Sequence, residues 1–170
     1  MVDKVHRCIS DDSSNLSLLA KAYQVDIREA KAVEHAIEIA VKDFNGRLDV
    51  FVANAGIPWT DGPAIDGPIQ DYKDVVGVDL DSVFYCGRYA ATYWRRQKEE
   101  GTDCYGNKLD NFGYGSFVAT ASMSGHIVNF PQMQATYNVA KAGVIHLCRF
   151  FFFFLPYYDS LHLLNFEILM

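Results

Sequence analysis

The chain has 170 residues, half of them apolar and 21% charged, which suits one soluble globular domain with its own core. Its 21 acidic and 15 basic residues give a formal net charge of -6, and no basic block exceeds Arg95-Arg96, which argues against nucleic acid as a partner. Cys8, Cys86, Cys104 and Cys148 lack the close spacing of metal ligands, and residues 1–10 lack the apolar run of a secretory leader, so free thiols in a reducing, cytoplasmic setting are expected.

Residues 1–17 are polar and read as loop. Residues 21–25 suit a short strand. Residues 28–44 predict an amphipathic helix, with Val33, Ala36, Ile37 and Ala40 at helical spacing. Asp26 and Glu29 stand at capping-box spacing before it, and Asn45-Gly46 ends it. Residues 48–53 form a nearly continuous apolar run, the pattern of a parallel strand covered on both faces. Residues 57–70, with three prolines and two glycines, read as loop. A long helix is predicted over residues 71–96, with Val76, Leu80, Val83 and Phe84 facing the core. Residues 98–114 are loop, 116–121 strand, 122–132 loop (His126 among its polar residues) and 133–149 helix.

The end of the chain is different in kind. Phe150 to Phe154 are five consecutive phenylalanines, followed by Leu155-Pro156. That run is far too short to cross a bilayer, which takes about 20 apolar residues. Residues 157–170 are apolar but interrupted by Asp159, His162, Asn165 and Glu167, and read as an ill-fitting end on a globular domain.

Strand and helix alternating in this way predict an α/β domain with a parallel sheet, whose ligands bind beyond the carboxyl ends of the strands. After the first clear strand comes Asn54-Ala55-Gly56. After the second comes Ser122-Met123-Ser124-Gly125, and then Tyr137-Asn138-Val139-Ala140-Lys141. A tyrosine and a lysine four apart share a helix face. A cation beside a phenol favours the phenolate, which suits proton exchange with an alcohol or carbonyl. A serine hydroxyl nearby can bond the same substrate oxygen. A Tyr-x-x-x-Lys alone is weak, since a chain of this composition holds on the order of half an occurrence by chance. Its position after the strand, the Asn-Ala-Gly turn, the long helix, the second strand and the serine loop gives it weight.

That order resembles the short-chain dehydrogenase/reductase family, over roughly residues 20 to 149. Asp26-Ile27 is similar to the family's Asp-Val pair, and Thr120 to Lys141 looks most like its fungal NADP-dependent mannitol dehydrogenase and sorbose reductase branch. The resemblance implies a Rossmann-like, doubly wound parallel sheet. It also implies hydride transfer between NADP(H) and a polyol, ketose or related carbonyl compound, with NAD(H) as the alternative cofactor. Tyr137 is then the general acid/base, and Lys141 its partner and the holder of the nicotinamide ribose. Ser122 is the substrate-oxygen ligand, with Ser124 the alternative. Asp26 lies near the adenine and Asn54 borders the cofactor. Relatives pair through the long helix, which implies an oligomer through the stretch from Asp79 to Tyr93, with Tyr89 and Tyr93 facing a second subunit.

The chain also departs from the family. Where many relatives carry an asparagine that bonds a water of the proton relay, the matching position is Asp79, which accepts hydrogen bonds but cannot donate while ionised. No glycine-rich turn stands where pyrophosphate would meet a helix N-terminus. The match stops near Arg149, and the next strand of the family is not recognised in the tail. The expectation is therefore one domain of incomplete fold, lacking the first βαβ unit and the last strands, with an atypical tail over 150–170. A catalytically inactive remnant that pairs with a full-length relative is the competing expectation.

Overall fold

A computed structural model describes residues 20–154 and 164–169. The loop expected over residues 1–17, and Cys8 within it, lie outside the described residues. Helix α1, Ala30–Asp43, forms because Val33, Ile37 and Val41 recur at four-residue spacing and are buried together. It ends as expected: the Gly46 N–H reaches back to the Val41 carbonyl at 2.8 Å, with Asn45 and Gly46 both at positive φ. The expected capping box does not form. The helix caps at Glu29 without a side-chain hydrogen bond, because the Asp26 carboxylate accepts instead from the Arg28 main-chain N–H at 3.1 Å and from its guanidinium.

Strands β1 (Val50–Ala53), β2 (Gly115–Thr120) and β3 (Leu164–Leu169) make one parallel sheet in the order β1-β2-β3. Two expectations are corrected here. Residues 21–25 are not a strand. Tyr23 and Val25 line an apolar groove of about 580 Å³ between α1 and β1, where no described strand offers them hydrogen-bond partners. Conversely, the tail supplies a strand, with β3 in register from Gly115↔Leu164 to Thr120↔Leu169. Asn165 and Glu167, read from sequence as interruptions, alternate with Leu164, Phe166 and Ile168, the two-residue period a strand accommodates.

The long helix is continuous but not uniform. Helix α2, Ile69–Val76, passes into a single π-turn, Gly77–Asp81, and then into α3, Ser82–Glu100. The buried positions run along its whole length. They fall at Val75, Gly77 and Asp79, then at Ser82, Val83, Cys86, Gly87, Ala90, Trp94 and Gln97. Of the four core residues expected, Val83 is buried and Leu80 packs against the core from its edge. Val76 is only half-buried and Phe84 is exposed, because the buried stripe runs one position earlier, through Val75, Asp79, Ser82 and Val83. Tyr89 and Tyr93 are half-buried against the core and line a cleft with Glu34 and Glu38 of α1.

Helix α4, Ala135–Phe154, absorbs the phenylalanine run. The core lies between sheet and helices, with Phe117 and Ala119 of β2 against Val83, Ala90 and Trp94 of α3 and Val144 and Cys148 of α4. Cys86, Cys104 and Cys148 are free thiols, and burial pushes Cys86 and Cys148 up to about 11. No helix among the described residues is long and apolar enough to cross a membrane.

Gln97 fixes the height of β1 against α3. Fully buried, it accepts the Leu48 N–H at 2.8 Å and donates to the Leu48 carbonyl at 2.8 Å, which also takes the Trp94 indole N–H at 3.1 Å. Gln97→Leu keeps the volume and leaves the Leu48 N–H without its acceptor. It is expected to lower unfolding free energy by about 1–3 kcal/mol, read from the shift of the urea midpoint.

Candidate active site

The site is assembled where β1 and β2 end together. Ala53 and Ala119 are register partners, so the residues that follow, Asn54 and Thr120 onward, emerge side by side at the carboxyl edge. The Thr120 hydroxyl donates to Asn54 Oδ1 at 2.9 Å and ties the two strand ends together. Helix α4 crosses this edge, and Lys141 sends its Nζ to the Thr120 carbonyl at 3.1 Å. From the other side comes the π-turn. Asp79 Oδ2 stands 3.4 Å from Lys141 Nζ, while Oδ1 accepts the Ile57 N–H at 2.7 Å, just after the Asn54-Ala55-Gly56 turn. Both charged side chains are removed from water, at 3% exposure for Lys141 and 0% for Asp79. Tyr137 lies one helical turn before Lys141, half-buried, with Nζ 5.5 Å from its ring centroid.

The serine loop is pressed onto this cluster. Met123–Gly125 is a 3-10 turn opened by Ser122, whose Oγ accepts the Ser124 N–H at 3.2 Å. A Cβ at Gly125 would lie 2.8 Å from the Ala142 nitrogen and the Lys141 carbonyl carbon. Only a glycine lets the turn rest directly on the backbone of α4 beside the lysine, which is a physical reason for the Ser-x-x-Gly spacing. The two serines are not equivalent. Ser124 is buried and its hydroxyl takes the Asn129 side-chain amide. Ser122 is half-buried, and each hydroxyl, accepting from an N–H, still has its own proton to donate.

Of the residues singled out in the sequence, Asn54, Asp79, Tyr137 and Lys141 are thus brought together, and Ser122 follows Thr120 by two residues. Asp26 stands apart from the cluster. Its half-exposed carboxylate is held by Arg28, whose hydrogen bonds bring it down to about 2, and Arg28 reaches on to Asp74 of α2 at 2.8 Å. His126 is exposed in its loop. Two contributors escape sequence reading. Thr120 serves the site through its carbonyl, which no side-chain pattern reports. Ile57 does so through its N–H, although its place directly after Asn-Ala-Gly was a usable signal.

At 3.4 Å the Asp79–Lys141 contact is an ion pair rather than a hydrogen bond, and Oδ2 has no hydrogen-bond partner among the described residues. Burial raises the Asp79 carboxyl above the ordinary carboxylate range. The Ile57 N–H and the Lys141 charge oppose that shift without cancelling it. An acid whose folded-state pKa is raised keeps its proton longer in the fold than in the unfolded chain. Its contribution to stability is therefore greatest at low pH. That contribution falls as pH climbs from about 4, the unfolded value, through the raised folded one. The difference in urea midpoint between the native chain and Asp79→Asn, followed from pH 4 to 8, should show this decline in the native chain alone.

A parallel sheet with helices packed on it, and a tyrosine–lysine pair at the carboxyl edge of its strands, defines the Rossmann-like α/β class. The family profile described as "Enoyl-(Acyl carrier protein) reductase" matches residues 9–151, and the chain belongs to the short-chain dehydrogenase/reductase family. It is 54% identical over 139 residues to an L-xylulose reductase of Hypocrea jecorina, covering 82% of this chain and 48% of that protein. Over 138 residues it is 47% identical to a probable NADP-dependent mannitol dehydrogenase of Yarrowia lipolytica, covering 81% and 44%. Among solved structures, the NADPH-dependent 3-quinuclidinone reductase of Rhodotorula rubra superposes with a TM-score of 0.63 at 38% identity, covering 76% of this chain and 43% of that one. The chain spans less than half the length of these relatives.

Proposed function

We propose that the chain carries the proton-handling half of an oxidoreductase that moves hydride between NADP(H) and a polyol or ketose. The observation that supports this reading most is the placement of Lys141. A buried ammonium is fixed at the joint carboxyl ends of two parallel strands, one helical turn from a half-buried tyrosine. The relatives named as an L-xylulose reductase and an NADP-dependent mannitol dehydrogenase point to the substrate class and to NADP(H). NAD(H) is the alternative cofactor.

The residues present suit the nicotinamide-ribose end of such a cofactor. The Lys141 ammonium has three N–H groups, and its one hydrogen bond among the described residues goes to the Thr120 carbonyl. Lys141 would hold the ribose hydroxyls, Asn54 would border them, and Asp26 is assigned to the adenine end. No glycine-rich turn joins a strand to a helix among residues 20–154, so these residues offer the phosphates no backbone cradle. When bound, the cofactor supplies the hydride. The chain's own residues handle the oxygen. Ser122 donates to the substrate oxygen and orients it. Tyr137 passes its proton to that oxygen in reduction and takes it back in oxidation. The Lys141 charge beside the ring stabilises the phenolate that remains.

A second reading, a non-catalytic form that pairs with a full-length relative, is favoured by the edge of the sheet. Val50 and Val52 of β1 are 57% and 53% exposed, and the groove beside them is lined by Val33, Ile37, Val41 and Phe44. An apolar parallel edge, here the four residues of β1, can template another strand. Titration of the 170-residue chain with NADPH, followed by cofactor fluorescence, separates the two. The enzyme reading expects saturable micromolar binding, weakened at least tenfold in Lys141→Ala (about 1.4 kcal/mol). In that reading Tyr137→Phe still binds but loses about 10²–10⁴ in polyol oxidation. Absence of binding up to millimolar NADPH would leave the pairing reading.

A further inference from the structure

We propose that Asp79 is a positioning residue for Lys141: its carboxylate is the counter-ion that holds the buried ammonium and ties it to the Asn54-Ala55-Gly56 turn. The consequence for catalysis rests on the reading of Lys141 given above. The test of the ion pair does not.

Three observations carry it. Both groups are sealed from water, and a cation buried without an anion is far costlier than one left with a partner. The two carboxylate oxygens are divided between two tasks. Oδ1 is taken by the Ile57 N–H at 2.7 Å, and Oδ2, with no hydrogen bond among the described residues, faces Lys141 Nζ at 3.4 Å. The choice of side chain separates these tasks. An asparagine of the same shape would still accept from Ile57, so only the charge serves Lys141. No other charged group competes in the described contacts. The Arg28 side chain lies against Gly77 at the start of the π-turn, but its guanidinium is held by Asp26 and Asp74 at 2.7 and 2.8 Å. A Cβ built on Gly56 would stand 3.2 Å from Lys141 Nζ and 3.3 Å from Asp79 Oδ2, so the turn, the acid and the lysine meet at one point.

The experiment is a double-mutant cycle on the whole chain, with Asp79→Asn, Lys141→Met and both together, read by urea unfolding near neutral pH. If the pair is coupled as proposed, Lys141→Met should lower the folding equilibrium constant at least tenfold less in the Asn background than in the native one. A second readout follows the lysine directly. Brief acylation with an N-hydroxysuccinimide ester, which attacks the neutral amine, is quantified by mass spectrometry at Lys141 against exposed Lys31 in the same digest. Labelling of Lys141 should rise at least tenfold in Asp79→Asn and return toward the native level in Asp79→Glu, which restores the charge. Additive substitutions with unchanged labelling would overturn the proposal, leaving Asp79 as a hydrogen-bond acceptor for Ile57. If Asp79→Asn fails to fold, recovery by the added Lys141→Met supports the proposal and no recovery overturns it. NADPH binding by the native chain is scored separately, so loss of the enzyme reading would be seen as missing binding beside an intact cycle.

Discussion

An ammonium group taken out of water must find its partners inside the fold, and in this chain that need is met at Lys141. The Thr120 carbonyl comes from the end of β2, the Asp79 carboxylate from the π-turn, and the lysine itself from α4. Each partner is in turn held from elsewhere, Thr120 to Asn54 after β1 and Asp79 to Ile57 beyond the same turn. One buried charge thus joins four consecutive pieces of chain. Desolvation makes the arrangement exacting, since removing any one partner leaves a polar group stranded in a place that water does not reach.

This dependence explains what the sequence discloses and what it conceals. Tyr137 and Lys141 are legible because a helix puts positions four apart on one face, whatever surrounds it. β2 is legible because alternate residues of its apolar run are buried, and α1 because one apolar stripe repeats, whereas β1 has the run expected of a strand covered on both faces and leaves Val50 and Val52 exposed. Less legible is anything that depends on a neighbour distant in sequence. Asp26 has the spacing of a cap, yet its carboxylate is taken by Arg28, which Asp74 of α2 holds from 46 residues away. Residues 21–25 have the composition of a strand but no described strand beside them. Asn165 and Glu167 look like breaks until β2 is there to pair with the alternation they belong to. Thr120 contributes a carbonyl, which every residue has.

The cluster lies wholly between Asn54 and Lys141. That placement is why a chain spanning less than half the length of its relatives still brings these groups together. The elements at its margins carry a different burden. β1 offers an apolar edge and groove on one side of the sheet, while the opposite side is extended by β3. Among the described residues, the assembled site and the apolar edge are therefore properties of the same short sheet, seen from its carboxyl end and from its flank.

The π-turn between α2 and α3 has a further meaning for how this chain tolerates change. One residue more than an α-helical turn requires rotates everything beyond it by about 100° about the helix axis. Asp79 points at Lys141 and Trp94 points into the core because that rotation is present between the two halves. Deleting a single residue within Gly77–Asp81 would heal the helix into a more regular one, and by local criteria improve it. The two halves would then be out of step, with either the acid swung away from the lysine or the whole buried face of α3 swung away from the sheet. At this point in the fold the number of residues is a stricter requirement than their identity. A gap of one position here is expected to be less tolerated than most substitutions around it.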